Sequence, residues 1–279
     1  MASTLRIGAH ISIAGGFLNA AKRAAAIGAN CLQMFSSSPH QWGHEAPDSK
    51  DITLFNALRA KAGIGPVYFH ASYLLNLADE GRIGKASATT LVKELTLAPK
   101  LGVRGSVVHV GSWKGGTPDY DRLAGVIRDI LKRTPPETLF IMENSGTRKI
   151  GLMLEEIGAI VKRVENERLK VCLDTCHLFT AGYDIRTKEK LDGFLKEFAR
   201  IVGMERLELW HMNDSRDPFG SFRDRHENIG EGEIGKEPFR VLVNHAKMKN
   251  YPLVLEVPGF DDEGPDKKNV DILKNLIDK

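Results

Sequence analysis

Seven residues able to hold a metal ion, His10, His70, His109, Glu143, Asp174, His211 and Glu256, each sit at or near the end of a short apolar run. Two further clusters add ligands. Asp174-Thr175-Cys176-His177 sets an imidazole three residues after a carboxylate. In Arg223-Asp224-Arg225-His226, Asp224 and His226 are two apart, so in extended backbone both point the same way. The candidate metal set is His70, His109, Glu143, Asp174, His177, His211, Asp224, His226 and Glu256, all imidazole or carboxylate. One zinc takes three or four such ligands, so nine imply more than one ion. Mixed nitrogen and oxygen ligation suits Zn²⁺ best, with Mn²⁺ or Fe²⁺ as substitutes. Four carboxylates against three divalent ions leave the loaded site at about +2, which attracts an anion such as a phosphodiester. Clustered ions also suit in-line displacement at phosphorus.

Ligands so far apart in sequence need a scaffold that gathers strand ends. The apolar runs predict strands at Leu5–His10, Cys31–Phe35, Val67–His70, Ser106–Val110, Leu139–Asn144, Val171–Asp174, Leu207–Met212 and Leu253–Val257. They are apolar nearly throughout, as strands covered on both faces are. Amphipathic stretches separate them. Phe17, Ala21, Ala24 and Ala25 mark one helical face, closed by Gly28. Leu91, Val92, Leu95 and Ala98 mark another, which Pro99 is expected to end or kink. Leu191, Phe194, Leu195, Phe198, Ile201 and Val202 mark a third. Eight strands alternating with helices, with no linker, predict an α/β chain folded as one (β/α)8 TIM barrel domain over residues 1–279. Its metal site lies at the C-terminal strand ends. An open doubly wound sheet is the alternative.

Composition bounds the partners. The 279 residues suit a barrel of roughly 250. A net charge of +3 is too small for DNA binding by bulk charge, so a nucleic-acid role requires a local site. No apolar run approaches the roughly 18 residues of a membrane span, and the N-terminus has no secretory h-region. Neither G-x-G-x-x-G nor G-x-x-x-x-G-K-[ST] occurs, so no nucleotide cofactor is expected. The three cysteines suit a reducing, cytoplasmic compartment, with Cys172 and Cys176 as buried thiols. Trp42 and Trp113 are expected in the core, His44 and His245 on the surface. Arg148, Lys149, Arg223 and Arg225 are candidate phosphate contacts, or simply solvated cations.

The motifs resemble the endonuclease IV family of apurinic/apyrimidinic (AP) endonucleases, the deoxyribonuclease IV type. The matching stretches are Gly8-Ala9-His10-Ile11-Ser12 with Gly15-Gly16, and His70-Ala71-Ser72-Tyr73-Leu74. They continue with Leu173-Asp174-Thr175-Cys176-His177, Ala181-Gly182-Tyr183-Asp184 and His211-Met212-Asn213-Asp214-Ser215. Asp224-Arg225-His226 with Ile229-Gly230-Glu231-Gly232, and Leu255-Glu256, complete a likeness running from about Arg6 to Pro258. The resemblance implies a barrel with three zinc ions per chain that cuts double-stranded DNA 5′ to an abasic site. The products are a 3′-hydroxyl and a 5′-deoxyribose phosphate, and blocked 3′ ends are trimmed.

By motif position, the resemblance implies one ion at His70, His109 and Glu143. A second shares Glu143 with Asp174, His211 and Glu256, and a third takes His177, Asp224 and His226. Glu143 is the implied catalytic residue, accepting the proton of the attacking water. His10 is not among the implied ligands, and a supporting or core role is expected for it. Tyr73 and Leu74 would wedge into the duplex as the abasic nucleotide is extruded, with His40 and Arg225 as further DNA contacts. A monomer is expected. The sequence departs from the family in having His40 where Arg is usual, and Val110 and Val257 where Pro and Thr are common. It also has a longer, more basic loop at Ser145–Gly151. The alternative reading is a metal-dependent sugar isomerase or epimerase, which gives no reason for the Asp224-x-His226 pair.

Overall fold

Each strand of the barrel carries an apolar residue on its inner side and, two places later, a polar one. A computed structural model describes residues 5–38, 42 and 47–278. The strands are β1 (Ile7–His10), β2 (Leu32–Phe35), β3 (Val67–His70), β4 (Gly105–Val108), β5 (Leu139–Glu143), β6 (Leu169–Asp174), β7 (Leu207–His211), β8 (Asp214–Ser215), β9 (His226–Glu227) and β10 (Leu253–Leu255). All but β8 and β9 close into one parallel barrel in the order β1-β10-β7-β6-β5-β4-β3-β2. First and last strands pair directly, with Ile7 opposite Leu253. Closure rules out the open sheet. The predicted strands are all present, with no end shifted by more than two residues. The antiparallel β8–β9 ribbon was not expected from the sequence.

Strand side chains alternate sides with period two. Cys31, Tyr68, Val107, Ile141, Cys172, Leu209 and Val254 form a buried plug inside the barrel. Gly8 is the eighth position of that layer. A Cβ there would stand 1.9 Å from the Cys31 carbonyl oxygen, so the bare Cα is what admits Cys31. Two residues further along the same strands come His10, Gln33, His70, His109, Glu143, Asp174, His211 and Glu256. The apolar plug is thus the floor of a polar ring. Beneath the floor, the Tyr68 hydroxyl donates to Glu208 at 2.7 Å.

The helices are α1 (Phe17–Ala26), α2 (Ser49–Lys61), α3 (Arg82–Leu97), α4 (Tyr120–Lys132), α5 (Leu154–Val164), α6 (Thr175–Ala181), α7 (Lys188–Ile201), α8 (Lys236–Asn244) and α9 (Lys267–Asn275). Asp48, Asp119, Thr187 and Asp266 cap α2, α4, α7 and α9 by accepting backbone N–H groups. The buried stripe of α1 is Phe17, Ala20, Ala21 and Ala24; Ala25 turns out to face solvent. Pro99 ends α3 as expected, starting a short 3₁₀ turn over Ala98–Leu101. Among the described residues no helix is long and apolar enough to cross a membrane.

Two other expectations are corrected. His245 is buried, not on the surface: its Nε2 lies 3.0 Å from an Asp192 oxygen and its Nδ1 accepts the Lys247 N–H. Its place at the turn after α8 makes it a cap rather than a solvated side chain. Trp42 is 39 % exposed, outside the core, whereas Trp113 is half-buried with its ring edge-on to Tyr120. His40 and His44 lie outside the described residues.

Glu94 of α3 is buried, and its carboxylate accepts the hydroxyls of Ser36 and Ser106. Burial pushes its acid up to about 7 despite both bonds. The folded state therefore holds this proton more tightly than the unfolded chain. Stability gained below about pH 4.5 is lost as pH rises through 7, by up to about 3 kcal/mol. Glu94→Gln should flatten the parent's loss of stability between pH 5 and 7 in denaturant titrations. Parallel curves for the two proteins would refute this.

Candidate metal centre

The polar ring sits where the strand ends converge, and nine side chains meet there as three donor groups. In the first, His70 Nε2 and His109 Nε2 lie 3.2 and 3.1 Å from Oε2 of Glu143. In the second, His211 Nδ1 lies 2.9 Å from Glu143 Oε1, 3.3 Å from Glu256 and 3.7 Å from Asp174. In the third, Asp224 Oδ1 is 3.0 Å from His177 Nε2 and 3.3 Å from His226 Nε2. The barrel strands supply six members, His70, His109, Glu143, Asp174, His211 and Glu256, at their last residue or the one after it. His177 comes from the first turn of α6, which Asp174 caps by accepting the His177 N–H at 2.9 Å. The β8–β9 ribbon delivers Asp224 and His226.

That ribbon is held by Asp214, whose carboxylate gathers the N–H groups of Gly230, Gly232 and Ile234 at 2.9–3.1 Å. Gly232 must be glycine, because a Cβ would lie 2.4 Å from the Ser215 carbonyl oxygen. Asn213 ties two ligands together, donating to Asp174 at 2.6 Å and accepting the Glu256 N–H at 2.7 Å. Asn144 accepts the Asp174 N–H at 2.7 Å.

The imidazoles show which nitrogen faces the site. Nδ1 of His70, His177 and His226 lies 2.9, 2.9 and 3.2 Å from the carbonyl oxygens of Ala71, Asn144 and Glu256. As donor there, each leaves Nε2 facing the cluster. His211 is reversed: Nε2 bonds the Gln33 amide oxygen at 2.9 Å and Nδ1 faces the carboxylates. Gln33 also donates to Glu256 at 2.5 Å. Bonds on the far nitrogen of this kind fix the tautomer a metal ligand needs. His177 Nε2 and His226 Nε2 are buried without a hydrogen-bond partner among the described residues. They nonetheless lie close to carboxylate oxygens. Two ligands of one tetrahedral ion at 2.0–2.1 Å stand about 3.3 Å apart, which is the spacing seen here. The residues fit divalent ions.

Charge supports the same reading. Burial opposes ionisation of Glu143, but His109, His211 and His70 around it hold it well below the ordinary carboxylate range. Burial also opposes the charge on His70 and His226, yet neighbouring carboxylates lift both to about 9. His177 and His211 are raised in the same way. His109 is pushed down to about 4 by burial, aided by His177 and His70. Burial raises the thiols of Cys172 and Cys176, so both stay protonated beside the cluster. His10 joins the ring as a hydrogen-bond partner, its Nδ1 3.1 Å from Glu256.

Beside His109 a cavity of about 260 Å³ opens between Tyr73, Leu74, Lys114 and Lys149. Tyr73 is 65 % exposed at its mouth. Arg225 lies on the rim with its guanidinium forked onto Asp217 at 2.7 and 2.7 Å, and Arg223 leans on the same carboxylate at 3.8 Å. Of the residues that sequence reasoning missed, Gln33 was the most accessible: it stands two places after Cys31 on an inward parity. Phe219 and Phe222, exposed on the loop between β8 and β9, carried no such signal.

Residues 21–276 match the family model described as xylose isomerase-like TIM barrel. A protein of Haloarcula marismortui named probable endonuclease 4 is 38% identical over 260 residues, covering 91% of this chain and 92% of its own. The crystal structure of endonuclease IV from Thermus thermophilus superimposes with a TM-score of 0.84 at 34% identity, over 97% of this chain and 98% of that one. A D-tagatose 3-epimerase-like protein also superimposes, with a TM-score of 0.71 at 20% identity over 98% and 97% of the two chains. That last likeness is one of fold.

Proposed function

We propose a reaction on one premise: the chain belongs to the endonuclease IV family of AP endonucleases, within the xylose isomerase-like TIM barrels. It is a DNA-repair hydrolase that cuts the phosphodiester backbone at abasic sites. In our reading the cut falls 5′ to the lesion, leaving a 3′-hydroxyl and a 5′-deoxyribose phosphate, and blocked 3′ ends are trimmed. The observation that carries this reading is the two-sided engagement of Glu143. One oxygen meets the His70–His109 pair and the other meets His211, beside Asp174 and Glu256. The separate His177–Asp224–His226 group then makes three places, which we assign to three zinc ions. An isomerase has no use for that third group.

Bound ions of this kind lower the pKa of water and neutralise the attacking and leaving oxygens. The chain's own residues do the rest. Glu143 accepts the proton of the attacking water, and the flanking imidazoles hold its carboxylate ionised for that purpose. Tyr73 and Leu74 hold the duplex open, at least cost where the base is already missing. Lys149 and Lys114 line the cavity beside His109, where a deoxyribose phosphate would sit. Arg225 contributes less than expected from the sequence, since Asp217 neutralises it. We also read the protein as cytoplasmic and monomeric. Its three cysteines are free and buried, and among the described residues five of the eight exposed large apolar side chains are aromatics on loops of the metal-bearing face.

A duplex carrying one tetrahydrofuran residue should be nicked on its 5′ side by metal-loaded protein. Native mass spectrometry of that active protein should show three ions. Intact duplex sinks the endonuclease reading, and a single tightly held ion in active protein sinks the three-ion reading.

A further inference from the structure

Arg148 and Phe222 lie on two loops that meet over α6, at the edge of the metal centre. Loop 145–151 follows β5 and passes so near α6 that a Cβ on Gly146 would stand 2.9 Å from the His177 Cα. Loop 216–225 joins β8 to β9. Two backbone bonds fix it to α6, from Gly220 N–H to the Phe179 carbonyl (3.1 Å) and from Phe222 N–H to the Thr180 carbonyl (3.0 Å). The Arg186 guanidinium completes the clamp, 5.3 Å from the Phe179 ring and 5.4 Å from that of Phe219.

Held this way, Phe222 adopts a φ of 55°, a backbone state that costs energy for a bulky L-residue and persists only where its surroundings impose it. Its ring remains 37 % exposed, and the Arg148 guanidinium lies 5.2 Å from the ring centroid. The metal-site residue Asp224 follows two residues later.

Most arginines of this rim are neutralised. Arg223 and Arg225 share Asp217, Arg186 is forked onto Asp184, and Arg216 faces Glu227. Arg148 makes no ion pair among the described residues. Its five donors are uncommitted, and an aromatic face restricts its motion. A guanidinium prepared like this matches the oxygens of a phosphate.

We infer that Phe222 is a positioning residue for the substrate, holding Arg148 beside the metal centre as a contact to a DNA phosphate flanking the cut. The inference rests on the AP-endonuclease reading. The test measures kcat and KM of the holoenzyme on the tetrahydrofuran duplex across a salt series. Each phosphate contact contributes about 0.9 to the slope of log(kcat/KM) against log salt. Arg148→Gln should raise KM about tenfold, flatten the slope by about 0.9 and leave kcat within about twofold. Phe222→Leu should raise KM about threefold and flatten the slope in part. Phe222→Tyr should restore the parent. The double variant should be no worse than Arg148→Gln alone, because Phe222 acts through Arg148.

A purely structural Phe222 would instead lower kcat and metal content together. A parental slope in Arg148→Gln, or a Phe222→Leu effect that adds fully to it, overturns the inference while the parent still nicks. A parent that does not nick overturns the endonuclease reading and this inference with it.

Discussion

Glu143→Gln should leave a closed, metal-binding barrel whose kcat falls by about 10³-fold or more. The exchange is isosteric, so the floor of Ile141 and its neighbours is undisturbed. The amide cannot take a proton from water. It also puts an N–H donor in place of one acceptor oxygen, amid His70, His109, His177 and His211, all within 3.5 Å of the carboxylate. Single-turnover nicking with a parallel metal assay separates the two consequences. Near-parental cleavage would remove Glu143 from the reaction, and loss of all metal would make its role one of ligation only.

Chelation should abolish incision, by more than about 10³-fold, and zinc should restore it. The protons that replace the ions give this prediction a second readout. Without metal, His70, His226, His177 and His211 all hold protons above their ordinary range, while His109 stays neutral. Binding at pH 7 must therefore release about three to four protons per chain. Calorimetry in buffers of different ionisation enthalpy counts them, and apparent affinity should rise with pH up to about 9. The stripped protein draws stability from imidazolium groups whose folded pKa lies above the unfolded value. That stability is present below about pH 6.5 and lost as pH climbs through 9. The stripped protein should thus unfold more readily at pH 9 than at pH 7, with no such loss in the loaded protein. Activity surviving with less than about a tenth of an ion per chain would refute the metal requirement.

The barrel and the donor groups at its strand ends were legible because both leave short-range marks. A strand buried on both faces is apolar along most of its length, so a His, Asp or Glu that closes an apolar run marks its C-terminal end. Asp174–His177 and Asp224–His226 are readable for the same reason, as pairs within a few residues. What escaped is set by contacts between distant segments. Nothing local tells that Asp217 will neutralise Arg225, that Ser36 will turn inward to Glu94, or that His245 will meet Asp192. The β8–β9 ribbon is only two residues wide on each side, too short to show a periodicity. The clamp of Phe179, Arg186 and Phe219 depends on a loop path that composition does not encode.

The pairing of β1 with β10 has a consequence for how the protein is born. On the ribosome the amino-terminal strands emerge first, but the sheet cannot become a cylinder until Leu253 can dock on Ile7. Glu256 arrives with the same strand. Synthesis must therefore pass Glu256 before the donor groups can all be gathered. A chain that stops short of Leu253 lacks both the strand that closes the barrel and the Glu256 carboxylate of the second donor group, so barrel closure and completion of that group are a single event.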